Sequence, residues 1–275
     1  MSLRRVTAST LIHTALVFGA VLTVIPLLWM LSASLMPAGE ATAFPPRVVP
    51  SVPTLEHYRS LFTRLNLGRA FLNSILVAIV ATFASLLFNS MAGYAFAKLN
   101  FRGRDRIFSI LVASLAIPAQ VAMLPLFLML KSMGLVNTYA GVLIPYMASI
   151  YGLFLVRQFM VSVPDDLLAA ARIDGAGELE IYWKIILPLA RPVLATLAIF
   201  TFMSAWNDFM WPLIILTDDE RYTMPVAVAS LVGEHAQDLE LMMASSVITV
   251  IPVLALFFIL QKQYIAGLMA GSVKG

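Results

Sequence analysis

Few residues in this sequence could do chemistry inside an apolar environment, and the clearest pair is Asn207 and Asp208, within an apolar run that ends at Leu216. At 1.5 Å per residue, a helix places Asp208 about 12 Å inside that run. An ionisable group at this depth costs at least about 2.5 kcal/mol unless it faces protein or water. With Gln120 in an earlier run, the pair is predicted either to line a solute path or to brace helices through hydrogen bonds.

The remaining polar residues do not indicate catalysis or metal binding. Three histidines, at positions 13, 57 and 235, are too far apart in sequence to show metal-ligand spacing. The chain has no cysteine, so disulfide and thiol chemistry are excluded. It also lacks the G-x-x-x-x-G-K-[ST] phosphate loop, so it is not expected to bind ATP in the usual way. We predict no catalytic residue, no metal and no cofactor on this chain.

The elements that position these residues are predicted to be membrane-spanning helices. The 275 residues are 60% hydrophobic and 12% charged, and their mean hydropathy is +0.89. Several runs reach the roughly 20 residues needed to cross a bilayer, and they are continuously apolar, unlike the alternating strands of a β-barrel. We predict an all-α polytopic membrane protein that forms one domain, with spans at about 11–36, 71–97, 106–131, 139–161, 188–216 and 242–261.

The distribution of basic residues predicts the orientation of these spans. Twelve of the 18 Lys and Arg residues lie in the N-terminal segment, in the second and fourth connections, and at the C-terminal end, whereas six lie on the other side. The positive-inside rule therefore places both termini in the cytoplasm. We interpret the formal net charge of +3 as an orientation signal, and we expect no nucleic-acid partner.

One polar segment, at about 164–187, interrupts the apolar pattern on the predicted cytoplasmic side. Pro164 and the two acidic residues that follow it suit the first turn of a helix, and the pair Asp174-Gly175 is typical of a helix end. Tyr182 and Trp183 follow on a second helical face that suits the headgroup boundary. These features predict two short surface helices with a bend at Gly175, and they fit an amphipathic connector as well as a docking helix.

This segment, PDDLLAAARIDGAGELEIYWKIILPLARP, resembles the cytoplasmic signature loop of permease subunits of binding-protein-dependent ABC importers. The positions that match the family pattern are Ala170, Ala171, Asp174, Gly175, Ala176, Ile185, Leu187 and Pro188. Ala169 stands where the family has a glutamate. Four other stretches resemble the carbohydrate-uptake branch: AGYAFAKLNFRGR at 92–104, IPAQVAMLPLF at 117–127, AWNDFMWPLIIL at 205–216 and GLMAGSVKG at 267–275. The chain is similar throughout to the smaller permease subunit of maltose-type transporters.

The resemblance implies the type I ABC importer permease fold, with residues 164–187 as a cytoplasmic coupling helix; we call these residues the coupling segment. It implies contacts with a separate ATPase through Ala170, Ala171, Arg172, Asp174, Gly175 and Ala176, and through Gly267, Gly271 and Lys274 at the C-terminal end. The implied partners are a second permease subunit, two ATPase subunits that bind ATP and Mg²⁺, an extracytoplasmic solute-binding protein, membrane lipid and a carbohydrate-like solute. Candidates to replace the missing glutamate are Asp165, Asp166 and Glu178.

The resulting prediction is a permease subunit of an ATP-driven importer for a sugar, oligosaccharide or related polyol, in the bacterial or archaeal cytoplasmic membrane. Two alternatives come from other classes of protein. A secondary transporter or channel that acts without an ATPase more often carries inverted repeats or several intramembrane charges. A membrane-embedded enzyme needs a catalytic cluster inside a span, and we identify none in the sequence.

Overall fold

A computed structural model of the chain describes residues 3–45, 47–63, 65–234 and 238–272, and it is helical with no strand among these residues. The α-helices in chain order are α1 (Leu3–Ala33), α2 (Glu56–Thr63), α3 (Leu67–Lys98), α4 (Arg104–Ser114), α5 (Ala119–Ser132), α6 (Tyr139–Met147), α7 (Ile150–Val161), α8 (Asp165–Ile173), α9 (Glu178–Ile181), α10 (Leu187–Leu189), α11 (Arg191–Asn207), α12 (Met210–Ile215), α13 (Met224–Glu234) and α14 (Leu239–Ser272). A π-helical turn, Tyr182–Ile186, joins α9 to α10, and a 3-10 turn covers Asp219–Arg221.

Several of these helices are long and apolar enough to cross a membrane. Four such stretches lie within the described residues: Ser9–Ala33, Leu67–Lys98, Tyr139–Val161 and Leu239–Ile259. Two more candidates are pairs of helices bent at a short break, α4 with α5 at 107° and Glu178–Leu189 with α11 at 79°. Counting each bent pair as one span gives up to six by length and composition, which agrees with the predicted number.

The segment predicted as a third span, 106–131, is not one straight helix. Helix α4 ends at Ser114, and α5 begins after Pro118, whose backbone is extended with ψ 132°. Proline cannot donate a backbone hydrogen bond, and it disfavours helical geometry in the residue before it. Pro125, by contrast, lies inside α5 without ending the helix.

The chain divides into two compact units, of which the first comprises residues 1–68 and 228–252. In this unit no residue of the apolar window of α1 is buried, whereas Met36, in the loop after α1, is fully buried. His57 Nε2 donates a hydrogen bond to the Met36 carbonyl oxygen at 2.9 Å. Glu240, also fully buried, accepts one from the Ala41 N–H at 2.8 Å. Polar contacts therefore fix the loop that follows α1.

The second unit comprises residues 69–227 and 253–275. Its larger apolar cluster joins α3 and α7 to the inner face of the coupling segment, through residues that include Tyr94, Val156, Leu168 and Ile181. The packing of α3 against α7 is close, because a Cβ added at Gly93 would lie 2.7 Å from Val156 Cγ1. The inner face of the coupling segment is therefore part of the protein core.

Candidate coupling segment and intramembrane cavity

The coupling segment forms two short helices with a bend between them, as predicted. Helix α8 carries Asp165 and Asp166 in its first turn, where their charge complements the helix N-terminus. Gly175 follows the end of α8 with φ +85°, a conformation that residues with a side chain rarely adopt. A Cβ built at Gly175 would meet no heavy atom within 4 Å. The bend therefore requires glycine for its backbone geometry, and the space beside it is open.

The predicted coupling residues lie on both faces of this segment. Ala170, Arg172, Asp174 and Gly175 are exposed, Ala171 is buried in the core, and Ala176 is half-buried. Exposed apolar side chains lie on either side of the bend, since Ile173 is 86% and Leu179 67% exposed. The outer face at the bend is thus a small-residue surface flanked by two aliphatic side chains.

Three side chains, one of which is distant in sequence, join the two helices to α3. Arg172 Nε donates to Glu178 Oε1 at 2.8 Å, and the Tyr94 hydroxyl donates to Glu178 Oε2 at 2.6 Å. The hydrogen bond and charge of Glu178 raise the pKa of Arg172. Sequence reasoning had identified Arg172 but not Tyr94, because nothing local to α3 shows that its hydroxyl meets a residue 84 positions later.

The acidic residues considered as replacements for the missing glutamate differ in their contacts. Asp165 accepts a hydrogen bond from Lys98 Nζ at 2.6 Å, and this bond holds the pKa of Asp165 below its ordinary value. Glu178 is paired with Arg172. Asp166 is exposed and forms no ion pair among the side chains that the structure describes. Asp166 is therefore the one of the three whose carboxylate is not engaged in such a pair.

The chain enters the predicted fifth span through an irregular turn. The Tyr182 hydroxyl lies 2.6 Å from Ser90 Oγ on α3, at the start of the π-helical turn Tyr182–Ile186. Such turns occur inside α-helices, frequently at functional sites. Helix α11 then leaves at 79° to the preceding helical stretch.

The predicted fifth span, 188–216, is interrupted where Asn207 and Asp208 lie, which corrects the expectation of a continuous helix. Asp208 is extended, with φ −71° and ψ 122°, and α12 starts at Met210. Asp208 Oδ1 accepts a hydrogen bond from the Trp211 N–H at 3.3 Å, and Asp208 Oδ2 accepts one from the Tyr146 hydroxyl. Both oxygens of this carboxylate therefore bond within the chain, and they stabilise the break in the helix.

A cavity of about 410 Å³ lies beside this break. Its lining residues are Ala119, Ala122, Met123, Leu126, Pro145, Tyr146, Ser204, Asn207, Asp208 and Trp211. Asn207 is exposed, and its amide donates to the Met203 carbonyl at 2.8 Å. Gln120 is exposed on α5 but is not among the lining residues. The structure thus places Asn207 and Asp208 at one cavity and leaves Gln120 outside it.

The remaining predicted positions concern metal binding and the C-terminal end. No group of three metal-binding side chains occurs among the residues that the structure describes. Gly267 and Gly271 lie in the helical backbone of α14, whereas Lys274 lies outside the described residues.

With this geometry established, comparison with known proteins identifies the family. Residues 89–268 match the family model described as "Binding-protein-dependent transport system inner membrane component". The chain belongs to this family. The permease is 38% identical, over 97% of both chains, to the arabinooligosaccharides transport system permease protein AraQ of Halalkalibacterium halodurans. It is 33% identical to the diacetylchitobiose uptake system permease protein NgcG of Streptomyces coelicolor, over 95% of this chain and 86% of that protein.

The fold of the permease also matches a solved structure. A chain from the crystal structure of a bacterial ABC transporter involved in the import of the acidic polysaccharide alginate superposes with a TM-score of 0.84 at 25% identity. The match covers 95% of the permease and 98% of that chain. The predicted ABC importer permease fold is confirmed, and family membership argues against the secondary transporter, channel and membrane-enzyme alternatives. The permease is a membrane transport subunit.

Proposed function

We propose that the permease imports an oligosaccharide or related polyol, and that two separate ATPase subunits supply the energy by docking on the outer face of the coupling segment. One observation carries the proposal: the bend at Gly175 is open on its outer side, while its inner side is packed into the core with α3 and α7. A protein that docks on the outer face of such a segment could move it, and the packed inner face would transmit this movement to α3 and α7. The names of the relatives support the oligosaccharide class.

In this proposal the coupling residues act from two sides of the segment. Ala170, Asp174 and Gly175 contact the ATPase directly because they are exposed, whereas Ala171 and Ala176 support the bend from inside. Asp166 takes the place of the missing glutamate, since its carboxylate is exposed and unpaired among the described side chains. ATP and Mg²⁺ bind to the ATPase subunits and not to this chain.

A second permease subunit completes the solute path, and an extracytoplasmic binding protein delivers the solute. Asn207 and Ser204 are exposed at the cavity and offer an amide and a hydroxyl to a polyhydroxyl solute. Asp208 braces this region, because both of its oxygens are already bonded within the chain. Both termini lie in the cytoplasm, and the turn Asp219–Arg221 faces the outside.

The C-terminal segment that contains Gly267, Gly271 and Lys274 is proposed to contact the ATPase subunits as well. Deleting residues 268–275 should lower solute-dependent ATP hydrolysis while the chain stays in the membrane. Unchanged hydrolysis in the deletion variant would remove this contact from the proposal.

Because the chain has no cysteine, single cysteines can test the main proposal directly. Ala170→Cys should react with a membrane-impermeant maleimide only from the cytoplasmic side, and bound ATPase subunits should protect it. Asp219→Cys is the matched control, which should react only from outside and be indifferent to the ATPase.

Uptake supplies the second arm of this experiment. Membrane vesicles that contain the permease with its second permease subunit, ATPase subunits and binding protein should accumulate radiolabelled arabinooligosaccharide only while ATP is present. Uptake that persists without ATP, or an Ala170→Cys site that the ATPase never protects, would contradict the proposal.

A further inference from the structure

Helix α3 carries three polar side chains in a row near its C-terminal end. Ser90, Tyr94 and Lys98 follow one another at four-residue spacing, so they share a face within about 80° of the helix circumference. All three are buried: Ser90 is 0% and Tyr94 4% exposed, and the Lys98 side chain is 4% exposed. We call these residues the polar stripe. Buried polar groups cost free energy unless they are bonded, so their partners indicate their role.

Every residue of the polar stripe has a partner in the coupling segment. Ser90 Oγ lies 2.6 Å from the Tyr182 hydroxyl, and the Tyr94 hydroxyl donates to Glu178 Oε2 at 2.6 Å. Lys98 Nζ donates to Asp165 Oδ1 at 2.6 Å, and at the same distance to the carbonyl oxygen of the residue immediately before the segment, Val163. The three contacts therefore hold the start of α8, the start of α9 and the π-helical turn to one helix.

Two further features reduce the freedom of the segment to move independently of α3. The ion pair of Arg172 with Glu178 links α8 to α9 across the bend, so the two short helices are joined on both sides of Gly175. Close packing at Gly93, one residue before Tyr94, holds α3 against α7. These contacts leave the segment little freedom to move at the bend independently of α3.

We propose that the polar stripe is the set of positioning residues that passes displacement of the coupling segment to α3, and through α3 to the rest of the membrane domain. The inference rests on the proposed function, since it needs an ATPase that moves the segment. Spatial continuity alone does not demonstrate coupling between two sites. The test therefore measures the coupling itself.

The experiment uses a single cysteine at the opposite end of α3. Arg69 lies just before the predicted span at 71–97, and its side chain is 55% exposed. Arg69→Cys therefore provides one labelling site in a cysteine-free chain. The labelling rate with an impermeant maleimide is measured with and without ATP, in the complete complex with the second permease and the ATPase subunits. We expect ATP to change this rate, and we expect Tyr94→Phe to reduce that change about fivefold. Ser90→Ala and Lys98→Met should reduce it as well.

A matched control lies on the same helix. The Thr82 hydroxyl donates only to the Ala78 carbonyl within α3, at 2.7 Å, so Thr82→Ala should keep the full ATP response. A double variant, Tyr94→Phe with Glu178→Gln, should lose less of the ATP response than the sum of the losses in the two single variants, because both substitutions act on the hydrogen bond between Tyr94 and Glu178.

Each outcome decides between the inference and its alternatives. A full ATP response in Tyr94→Phe overturns the inference, and so does the absence of an ATP response at Arg69→Cys in the otherwise unmodified chain. In either case the proposed function still stands if the ATPase subunits remain attached. A lower response accompanied by less co-purified ATPase indicates a merely structural role and also overturns it. Failure of the unmodified complex to bind ATPase subunits contradicts the proposed function before any variant is measured.

Discussion

Helical order breaks at two polar sites in the second unit of this permease, and the two breaks are built differently. At Gly175 the chain turns with φ +85° and leaves open space beside the bend. At Asp208 the backbone stays in an ordinary extended conformation, and the carboxylate bonds to Tyr146 and Trp211. The first break depends on the absence of a side chain, and the second depends on the presence of one.

The difference follows from the surroundings of each break. Backbone groups at an exposed bend can bond to water or to a docking partner, so glycine suffices there. Inside an apolar span lipid cannot satisfy free backbone groups, so they must bond to protein or face a cavity. At Asp208 the carboxylate itself accepts the hydrogen bond of the Trp211 N–H. Substitutions should therefore act on coupling at Gly175 and on folding at Asp208.

Gly175→Val should give the largest effect on transport. A β-branched residue pays about 1–2 kcal/mol for a left-handed backbone, and relieving this strain shifts the outer face of the segment. We expect uptake to fall about tenfold, with weaker ATPase attachment and normal abundance in the membrane. Uptake and ATPase co-purification, measured side by side, test this expectation.

Gly177 provides the control for this variant. It lies two residues away with φ −72°, and a Cβ added there would also meet open space. Gly177→Val should therefore keep most of the uptake. Equal losses at both glycines would mean that added volume at the docking surface matters and backbone conformation does not; wild-type uptake in Gly175→Val would contradict the coupling assignment itself.

Asp208→Ala should mainly reduce the stability of the protein. The molecules that remain folded should lose less of their transport activity. The variant leaves the Tyr146 hydroxyl and the Trp211 N–H without their acceptor, which costs about 2 kcal/mol. We expect a lower thermal unfolding midpoint in detergent and a lower amount of protein in the membrane.

The neighbouring Asn207→Ala separates bracing from a role in the solute path. Asn207 is exposed at the cavity, so its removal should change stability by less than about 0.5 kcal/mol while lowering uptake. The comparison of the two breaks is wrong if Asn207→Ala destabilises the chain as much as Asp208→Ala does.

Much of this arrangement could be predicted from local sequence signals. The bend at Gly175 follows from the Asp-Gly pair after a strong helix, and the bent third segment has its signal in Pro118. The break at Asp208 does have a local signal that was not used, because Pro212, four residues later, cannot donate a helical hydrogen bond to the Asp208 carbonyl. Its stabilising partner Tyr146 has no such signal, because it lies 62 positions away. The contact of Tyr94 with Glu178 was missed for the same reason, since hydrogen bonds between distant residues depend on how the helices pack.

Removing the contact of Lys98 with Asp165 should have the smallest effect on stability, and this effect should depend on pH. The hydrogen bond from Lys98 lowers the pKa of Asp165, so it stabilises the folded chain above the ordinary aspartate value of about 3.9. That stabilisation is lost as the pH falls through the lowered folded-state pKa. The Asp165 side chain is 85% exposed, so solvent screens the pair and limits its contribution. The difference in unfolding midpoint between the unmodified chain and Asp165→Asn should therefore be small, constant from about pH 8 to 5, and absent in stronger acid. A difference that changes between those two pH values would mean that another group, not Asp165, controls how the coupling segment is held to α3.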